Sequence, residues 1–357
     1  MIKPRAAAPP STDSHLEPLD HEDVIVRRGR RSGLYTFVAV HSTLRGPSLG
    51  GCRIWGYLDS HEALRDVLRL ARAMTYKAAV ADLPLGGGKG VVMTAPGASL
   101  TSERRTAALL DFGDAVESLG GRYITAEDVG TSSRDMRVIA ERTRHVAGLP
   151  RRLGGSGDPS PFTALGVESA IRACCERVFG SGSLRGRIVA VVGLGHVGSK
   201  VAKRCARAGA TLVLSDIDPR KRRLTEELSA GWAPPERALE VEVDVLAPCA
   251  LGGVLDHATV PRLRCRIVAG AANNQLADTS VAALLAERQI LWAPDFVANA
   301  GGIINIAEEQ HGYDAASASR RVRRIGDIVL DIFDRADAAG TTPLMAAMEL
   351  ARQRLAT

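Results

Sequence analysis

Lys89 lies in a run of glycines, "LPLGGGKG" (residues 83–90), and a second lysine, Lys77, closes the helical pattern upstream of it. Glycines beside a lysine suggest a phosphate cradle, and the pattern for that loop is G-x-x-x-x-G-K-[ST]. It fails here at two fixed positions, because Leu83 stands where the first glycine belongs and Gly90 follows the lysine. The chemistry left to Lys89 is acid–base. Two amines converging on one cleft lower each other's proton affinity and make one a neutral participant near neutral pH. "ITAEDVG" adds Asp128 at the end of an apolar strand, where a carboxylate can pair with a lysine or carry a proton. Lys77 follows the apolar stripe Leu64, Val67, Leu68, Ala71 and Met74. An amine at the edge of such a stripe either snorkels to water or meets an anion.

A second constellation has the pattern of a nucleotide site. In "VVGLGHVGSKVA", Gly193, Gly195 and Gly198 are spaced as G-x-G-x-x-G, with His196 and Val197 between the last two. The match is weak alone, but it follows the apolar strand "RIVAVV", opens a helix and leads to "TLVLSD", ending in Asp216. That acid is 18 residues past Gly198, close to the roughly 20 expected for a carboxylate on the adenosine ribose. The glycines have separate tasks: a tight turn, backbone access to a pyrophosphate, and close helix–strand contact. The helix N-terminus then offers amides to the anion. Asp216 repels a 2′-phosphate and so favours NAD over NADP. Arg220, Lys221, Arg222 and Arg223 could accept that phosphate or simply begin a solvated helix.

These groups need elements to hold them. A chain of 357 residues is too long for one ordinary core and predicts two domains. Residues 23–41 alternate and predict a hairpin turning near Gly29 to Gly33. A helix follows from about Ser60, which can cap it, and "KGVVMTAP" and "RYITAEDVG" predict strands around a helix at 101–121. "GLPRRLGGSGDPSPF" is the interdomain crossing. Beyond it, strands alternate with helices, which implies a parallel sheet. One long amphipathic helical stretch covers 315–355. The net charge of +6 comes from arginines set among acids in helical segments, so no nucleic-acid partner is expected. The six cysteines have no CxxC spacing, so reduced thiols of a cytoplasmic protein and no metal site are expected. The proline-rich N-terminus predicts a frayed tail rather than a signal peptide. No apolar run is long enough for a membrane span.

At this point the residues resemble a known family. "AVHSTLRGPSLGGCRIW", "AMTYKAAVADLPLGGGKG", "GGRYITAEDVGT", "GSGDPSPFTALGV", "GAANNQLAD" and "APDFVANAGGIINIAEE" are similar to the successive signature blocks of the glutamate/leucine/phenylalanine/valine dehydrogenases. The resemblance covers about residues 35–315 and is strongest to the leucine, valine and phenylalanine branch. It implies an α/β fold of two domains with the catalytic cleft between them. After a disordered tail (1–20), the substrate-binding and oligomerisation domain would span 21–148, joined by a C-terminal helix near 340–357. A Rossmann-type doubly wound NAD-binding domain would span 149–339. It implies NAD-dependent oxidative deamination of an L-amino acid by a homo-oligomer, dimer or octamer.

Carried over by resemblance, Lys77 holds the substrate carboxylate. Lys89 is the catalytic lysine, working through a lowered proton affinity, and Asp128 relays protons. Gly50 and Gly51 floor the site, and the glycines of "LPLGGGKG" clear space for the amino acid and the nicotinamide ring. Thr163, Ala271, Asn273 and Asn299 lie near the nicotinamide and its ribose. Met74, Leu49, Ala126, Ile303 and Ile306 line the side-chain pocket. Glutamate dehydrogenases have a lysine and a serine where this chain has Leu49 and Ile306, so a substrate γ-carboxylate would be buried without a partner. A branched-chain amino acid is therefore expected, valine, leucine or isoleucine. The block "APDFVANAGG" resembles phenylalanine dehydrogenases and keeps an aromatic substrate, phenylalanine or tryptophan, as the alternative. A catalytically inactive NAD-binding homologue is the reading from another class, and the presence of Lys77, Lys89 and Asp128 together speaks against it.

Overall fold

The structure is a computed structural model that describes residues 19–356. Of the tail expected over residues 1–20, residues 1–18 lie outside the described ones. Asp20, at its end, is not free, since Arg72 donates to it at 2.7 Å.

The first sheet is built from β1 (Asp23–Arg28), β2 (Tyr35–Ser42), β3 (Ser48–Gly56), β4 (Gly86–Thr94) and β5 (Tyr123–Glu127). Their order is β1-β2-β4-β3-β5. The first two form the expected antiparallel hairpin, and its turn is fastened by Asp111, which accepts from the Ser32 amide and hydroxyl at 2.9 and 2.8 Å. β3 runs parallel to both β4 and β5, which requires the crossovers that α1 (Ser60–Val80) and α2 (Ser102–Glu117) supply. The cap of α1 is Asp59 rather than the expected Ser60, its carboxylate accepting from the Glu62 amide at 2.8 Å. Ser60 is already helical. Ala63, Val67, Ala71 and Ala78 form the buried stripe of α1 against the sheet. A short helix, α3 (Ser133–Ile139), follows β5.

After the crossing, α4 (Ser160–Phe179), β6 (Ile188–Val192), α5 (Gly198–Arg207), β7 (Thr211–Ser215), α6 (Arg223–Leu228) and β8 (Gly231–Trp232) form half of the second sheet. β9 (Val245–Pro248), β10 (Ile267–Val268), α7 (Val281–Glu287) and β11 (Leu291–Trp292) form the other half. All its neighbours pair in parallel, in the order β11-β10-β9-β6-β7-β8. That is the doubly wound arrangement, with the order reversing between β6 and β9, where a crevice opens beyond the strand ends. α8 (Asp295–Ala298) and α9 (Gly301–Ala307) then lead to α10 (Ala315–Arg323), α11 (Ile325–Ala339) and α12 (Pro343–Ala356). The single long helical stretch expected over 315–355 is thus three helices. Gly340, left-handed at φ 59°, ends α11, and Pro343 starts α12 in the position proline favours. Among the described residues, no helix is long and apolar enough to cross a membrane.

α12 returns to α1. The Arg354 guanidinium donates to the carbonyl of Val80 at 2.6 Å and to that of Ala79 at 3.4 Å. These are carbonyls of the last turn of α1, which also carries Lys77. Arg45 adds a second tie, donating to Leu83 O at 3.1 Å, to Asp82 at 2.8 Å, and to the carbonyl of Arg354. Arg354→Ala leaves the Val80 carbonyl without a donor, so Tm should fall by about 2–4 °C. Hydrogen exchange should quicken at the amides of residues 77–81. Calorimetry and exchange mass spectrometry check this, and an unchanged exchange rate there would mean that α12 does not secure the turn.

Candidate active site

Lys89 is in the middle of β4, between β2 and β3, and only 5% exposed. Its Nζ meets Oδ2 of Asp128 at 2.8 Å. Asp128 follows the last residue of β5, and its amide donates to Thr131 Oγ1 at 2.9 Å, which fixes the turn after the strand. Arg53, two residues past Gly51 on β3, donates from Nε to the same Oδ2 at 2.9 Å. Burial opposes charge on Asp128, but the Lys89 ammonium and the Arg53 guanidinium outweigh it and hold the carboxyl well below its ordinary range.

Lys77 is in the opposite condition. Its amine has no hydrogen bond or ion pair within the described residues. Desolvation lowers its proton affinity to about 8, even though Asp295 and Asp128 lie near enough to oppose the fall. An amine so placed is short of an anion. Burial also pushes the Asp295 carboxyl up from its usual range, against the amides of Gln275 and Phe296, each donating at 2.7 Å.

All five of these charged side chains line one cleft of about 400 Å³. Leu49, Gly50 and Gly51 enter it from β3, Met74 from α1 and Ala126 from β5, while Ile303 and Ile306 face them from α9. The pocket residues expected from the sequence are therefore gathered in one place. The expectation for the glycines of "LPLGGGKG" is corrected. They clear protein, not ligand, and they belong to the strand rather than to a loop before it. A Cβ on Gly87 would come within 2.0 Å of the Thr75 amide nitrogen, one on Gly88 within 2.7 Å of the Tyr123 ring, and one on Gly90 within 2.4 Å of Phe112. These contacts let α1 and its neighbours close on β4.

Residues the sequence reading passed over also line the cleft: Arg53, Arg69, Leu70, Ala73 and Asp295. A signal existed for most. Leu70, Ala73 and Lys77 share one helical face, and Arg53 shares the Gly51 face of β3. Asp295 is an acid inside the otherwise apolar "APDFVANAGG".

The cleft continues past Thr163, Val197, Ala271, Asn273 and Asn299 toward the turn between β6 and α5. Gly193, Gly195, His196, Gly198 and Asp216 sit at that turn rather than in the cleft wall. His196 is exposed, its carbonyl taking Lys200 Nζ at 2.9 Å. Gly193 has φ 97°, and a Cβ on Gly198 would lie 1.8 Å from the Gly193 carbonyl oxygen, so these two make the tight turn. A Cβ on Gly195 would meet nothing within 4 Å, which leaves room for a diphosphate at the helix start. Asp216 takes the amides of Leu194 at 2.6 Å and Asp218 at 2.8 Å, keeping lone pairs for a ribose hydroxyl. Arg220 is held by Asp218 at 2.9 Å and is otherwise in solvent. Asn299 Nδ2 donates to Ala271 O at 3.1 Å and to Asn273 Oδ1 at 2.8 Å, which orients the amide and leaves its buried Oδ1 without a donor. An orphaned acceptor in the cleft and clear space over Gly195 fit a nicotinamide dinucleotide. Among the described residues, no group of three or more His, Cys, Asp or Glu could hold a metal ion. Gly195→Val should therefore fold normally and lose dinucleotide affinity at least tenfold, whereas Gly198→Val should also lower Tm. Fluorescence titration with NADH and thermal melts check the pair, and unimpaired binding by Gly195→Val would remove the diphosphate from this turn.

Comparison with known proteins agrees with this geometry. The pattern of the Glu/Leu/Phe/Val dehydrogenase dimerisation domain matches residues 21–145, and that of the glutamate/leucine/phenylalanine/valine dehydrogenases matches residues 214–357. The chain is 42% identical over 342 residues to the leucine dehydrogenase of Thermoactinomyces intermedius, covering 96% of this chain and 92% of that one. It is 44% identical over 345 residues to the valine dehydrogenase of Streptomyces virginiae, covering 96% and 95%. The crystal structure of L-tryptophan dehydrogenase from Nostoc punctiforme superposes with a TM-score of 0.80 at 39% identity, over 94% of this chain and 96% of that one. The chain belongs to the glutamate/leucine/phenylalanine/valine dehydrogenase family.

Proposed function

We propose that this amino acid dehydrogenase converts a branched-chain L-amino acid, water and NAD to the 2-oxo acid, ammonium and NADH, reversibly. The observation that carries the reading is one cleft holding an unpartnered ammonium, a lysine–aspartate pair and a wall of Leu49, Ala126, Ile303 and Ile306. A glutamate side chain would bring a second carboxylate against aliphatic groups, at a cost of several kcal/mol (~2–7 for an unpaired polar group alone).

Lys77 is the residue that takes the α-carboxylate, leaving the side chain to the aliphatic wall. Asp128, ionised, takes a proton from the substrate ammonium and frees the nitrogen lone pair. When bound, the nicotinamide supplies the acceptor for the hydride from the substrate Cα. Lys89, as the neutral amine, takes a proton from the water that attacks the resulting imine. It returns that proton through Asp128 to the departing nitrogen and takes the hydroxyl proton as the C–N bond breaks and the carbonyl forms, so that one proton leaves with NADH. Asn299 and Asn273, with Thr163 and Ala271, hold the carboxamide and ribose side of the dinucleotide, and the turn at Gly193 to Gly198 holds its diphosphate. Asp216 takes the adenosine ribose, where a 2′-phosphate would meet like charge.

The domain boundary falls in the crossing after residue 148. We place the protein in the cytoplasm, in keeping with six free cysteines, and as a homo-oligomer built through the 21–145 segment that matches a dimerisation domain.

A second reading, an aromatic amino acid, is favoured by one observation besides the tryptophan dehydrogenase likeness. Leu49 and Ile306 also border a second cavity of about 320 Å³, so a small shift of either side chain would lengthen the pocket. Steady-state kcat/KM values for valine, leucine, isoleucine, phenylalanine and tryptophan decide between the two. The branched-chain substrates should exceed the aromatic ones, and NAD should exceed NADP; a preference for tryptophan or phenylalanine would overturn the pocket assignment. Lys77 has its own test. Its amine is lowered to about 8, and a carboxylate beside it restores the proton that desolvation removes. Binding of the 2-oxo acid to the NAD-loaded protein at pH ~9 should thus take up protons. Calorimetry in two buffers of different ionisation enthalpy measures the uptake, and Lys77→Met should abolish it along with most of the affinity.

A further inference from the structure

Asp128 is held by more than its lysine. Lys89 Nζ at 2.8 Å and Arg53 Nε at 2.9 Å reach the same oxygen, Oδ2. No donor among the described residues is hydrogen-bonded to Oδ1. Arg53 is itself anchored: its Nη1 donates to Asp66 Oδ2 at 3.0 Å, and that oxygen also takes the Tyr57 hydroxyl at 2.7 Å. Arg69 takes the other oxygen of Asp66 at 2.8 Å. The guanidinium is thus fixed at both ends, by carboxylates from two different elements.

We propose that Arg53 is a positioning residue that fixes Asp128 through Oδ2, leaves Oδ1 for the substrate nitrogen, and keeps the carboxylate ionised while Lys89 gives up and regains its proton. The inference rests on the roles proposed above for Lys89 and Asp128. A lysine that serves as base must pass through its neutral amine. At that moment a buried aspartate whose only partner was that lysine would have no counter-charge, and it would take up a proton itself. The titratable and charged groups around Asp128 are Lys89 on β4, Lys77 on α1, Cys52 and Arg53 on β3 and Tyr123 on β5, with Glu127 next to it in the chain and Asp295 across the same cleft. Of these, Arg53 alone cannot lose or gain a proton in water. It supplies a cation that does not alternate, on the oxygen that Lys89 uses. Because both donors share Oδ2, Lys89 can turn toward water without releasing the carboxylate from its orientation.

The competing role for Arg53 is a brace between β3 and α1 through Asp66, and a pH profile separates the two. For Arg53→Gln with leucine and NAD, kcat should fall about 10²-fold or more. The acid limb of kcat/KM should move up by about one pH unit or more, because the amine and the carboxylate both keep their protons longer without the neighbouring cation. The KM for NAD should change little. Arg53→Lys retains the charge and should return the limb to its wild-type position while recovering only part of kcat. A fallen kcat with an unmoved limb in Arg53→Gln would make Arg53 a brace, and unchanged kinetics would overturn the proposal outright. Should Arg53→Gln fail to fold, Arg53→Lys decides: a limb at the wild-type pH supports the assignment and one displaced by a unit overturns it. Lys89→Ala distinguishes failure of the underlying reading. It should abolish turnover with NADH binding intact, and turnover retained there would remove Lys89 from the chemistry whatever Arg53 does.

Discussion

Two lysine amines crowded into one cleft, Lys89 buried and Lys77 half-buried, are the constraint on which the rest of this structure depends. Each ammonium resists desolvation, and each makes the other's charge harder to keep. The chain treats them unequally. Lys89 has a carboxylate at 2.8 Å, while Lys77 has none and loses proton affinity to about 8. Had both been paired, the cleft would hold no standing demand for an anion. Had neither been paired, both amines would be driven toward neutrality. One paired and one unpaired amine give a site that attracts a carboxylate to one place and manages protons at another.

Such a division lasts only if the two backbones cannot drift. Lys89 is therefore on a strand hydrogen-bonded on both sides, and Lys77 is in a helical turn whose last carbonyls, those of Ala79 and Val80, accept from Arg354. The glycines of β4 bring the two elements together. A side chain at Gly87 would strike the backbone of α1 at Thr75, and one at Gly88 the ring of Tyr123. Tyr123 in turn donates to the Gly50 carbonyl at 2.7 Å, so the floor of the cleft and the strand bearing Lys89 are packed through one buried phenol. A methyl at any of these glycines would widen the spacing between the amines before it touched a ligand.

This packing explains what was legible in the sequence. The glycine-rich turn and the acid beside it were legible because they are local: three glycines and Asp216 follow from one strand–helix–strand unit, and the second sheet follows from its alternation. The pocket positions, too, were legible as a set, through ordered blocks. The glycines beside Lys89 misled, since a segment that makes room for a ligand and a strand that approaches a helix both require the absence of a Cβ. Arg53 was missed because its two partners lie 75 and 13 residues away in the chain, and nothing local in "GGCRIW" says which carboxylates it will meet. The final helical stretch read as one element because its apolar period survives across Arg324 and Gly340, while the breaks are set by backbone geometry at single residues.

The same asymmetry extends to the crossing between the domains. Gly148, Gly154 and Gly157 have left-handed backbones, φ 74°, 82° and 71°, which would leave this segment free to bend anywhere along its length. Glu309 removes that freedom. Its carboxylate takes the Gly148 amide at 3.0 Å and the Ser156 amide at 2.6 Å, closing the segment into a loop held at both ends by one side chain. Glu309 lies three residues beyond Ile306, just past the end of α9, the helix that carries both isoleucines of the pocket wall. The crossing and the wall are therefore parts of one body, and the wall cannot shift relative to the chain that joins the domains. Whatever changes the distance between the two sheets must then change the depth of the aliphatic pocket over Lys77, because Ile303 and Ile306 come from one domain while Leu49, Ala126 and the amine come from the other. The isoleucine half of the wall is thus tied to the crossing by a carboxylate, Glu309, that does not itself line the cleft.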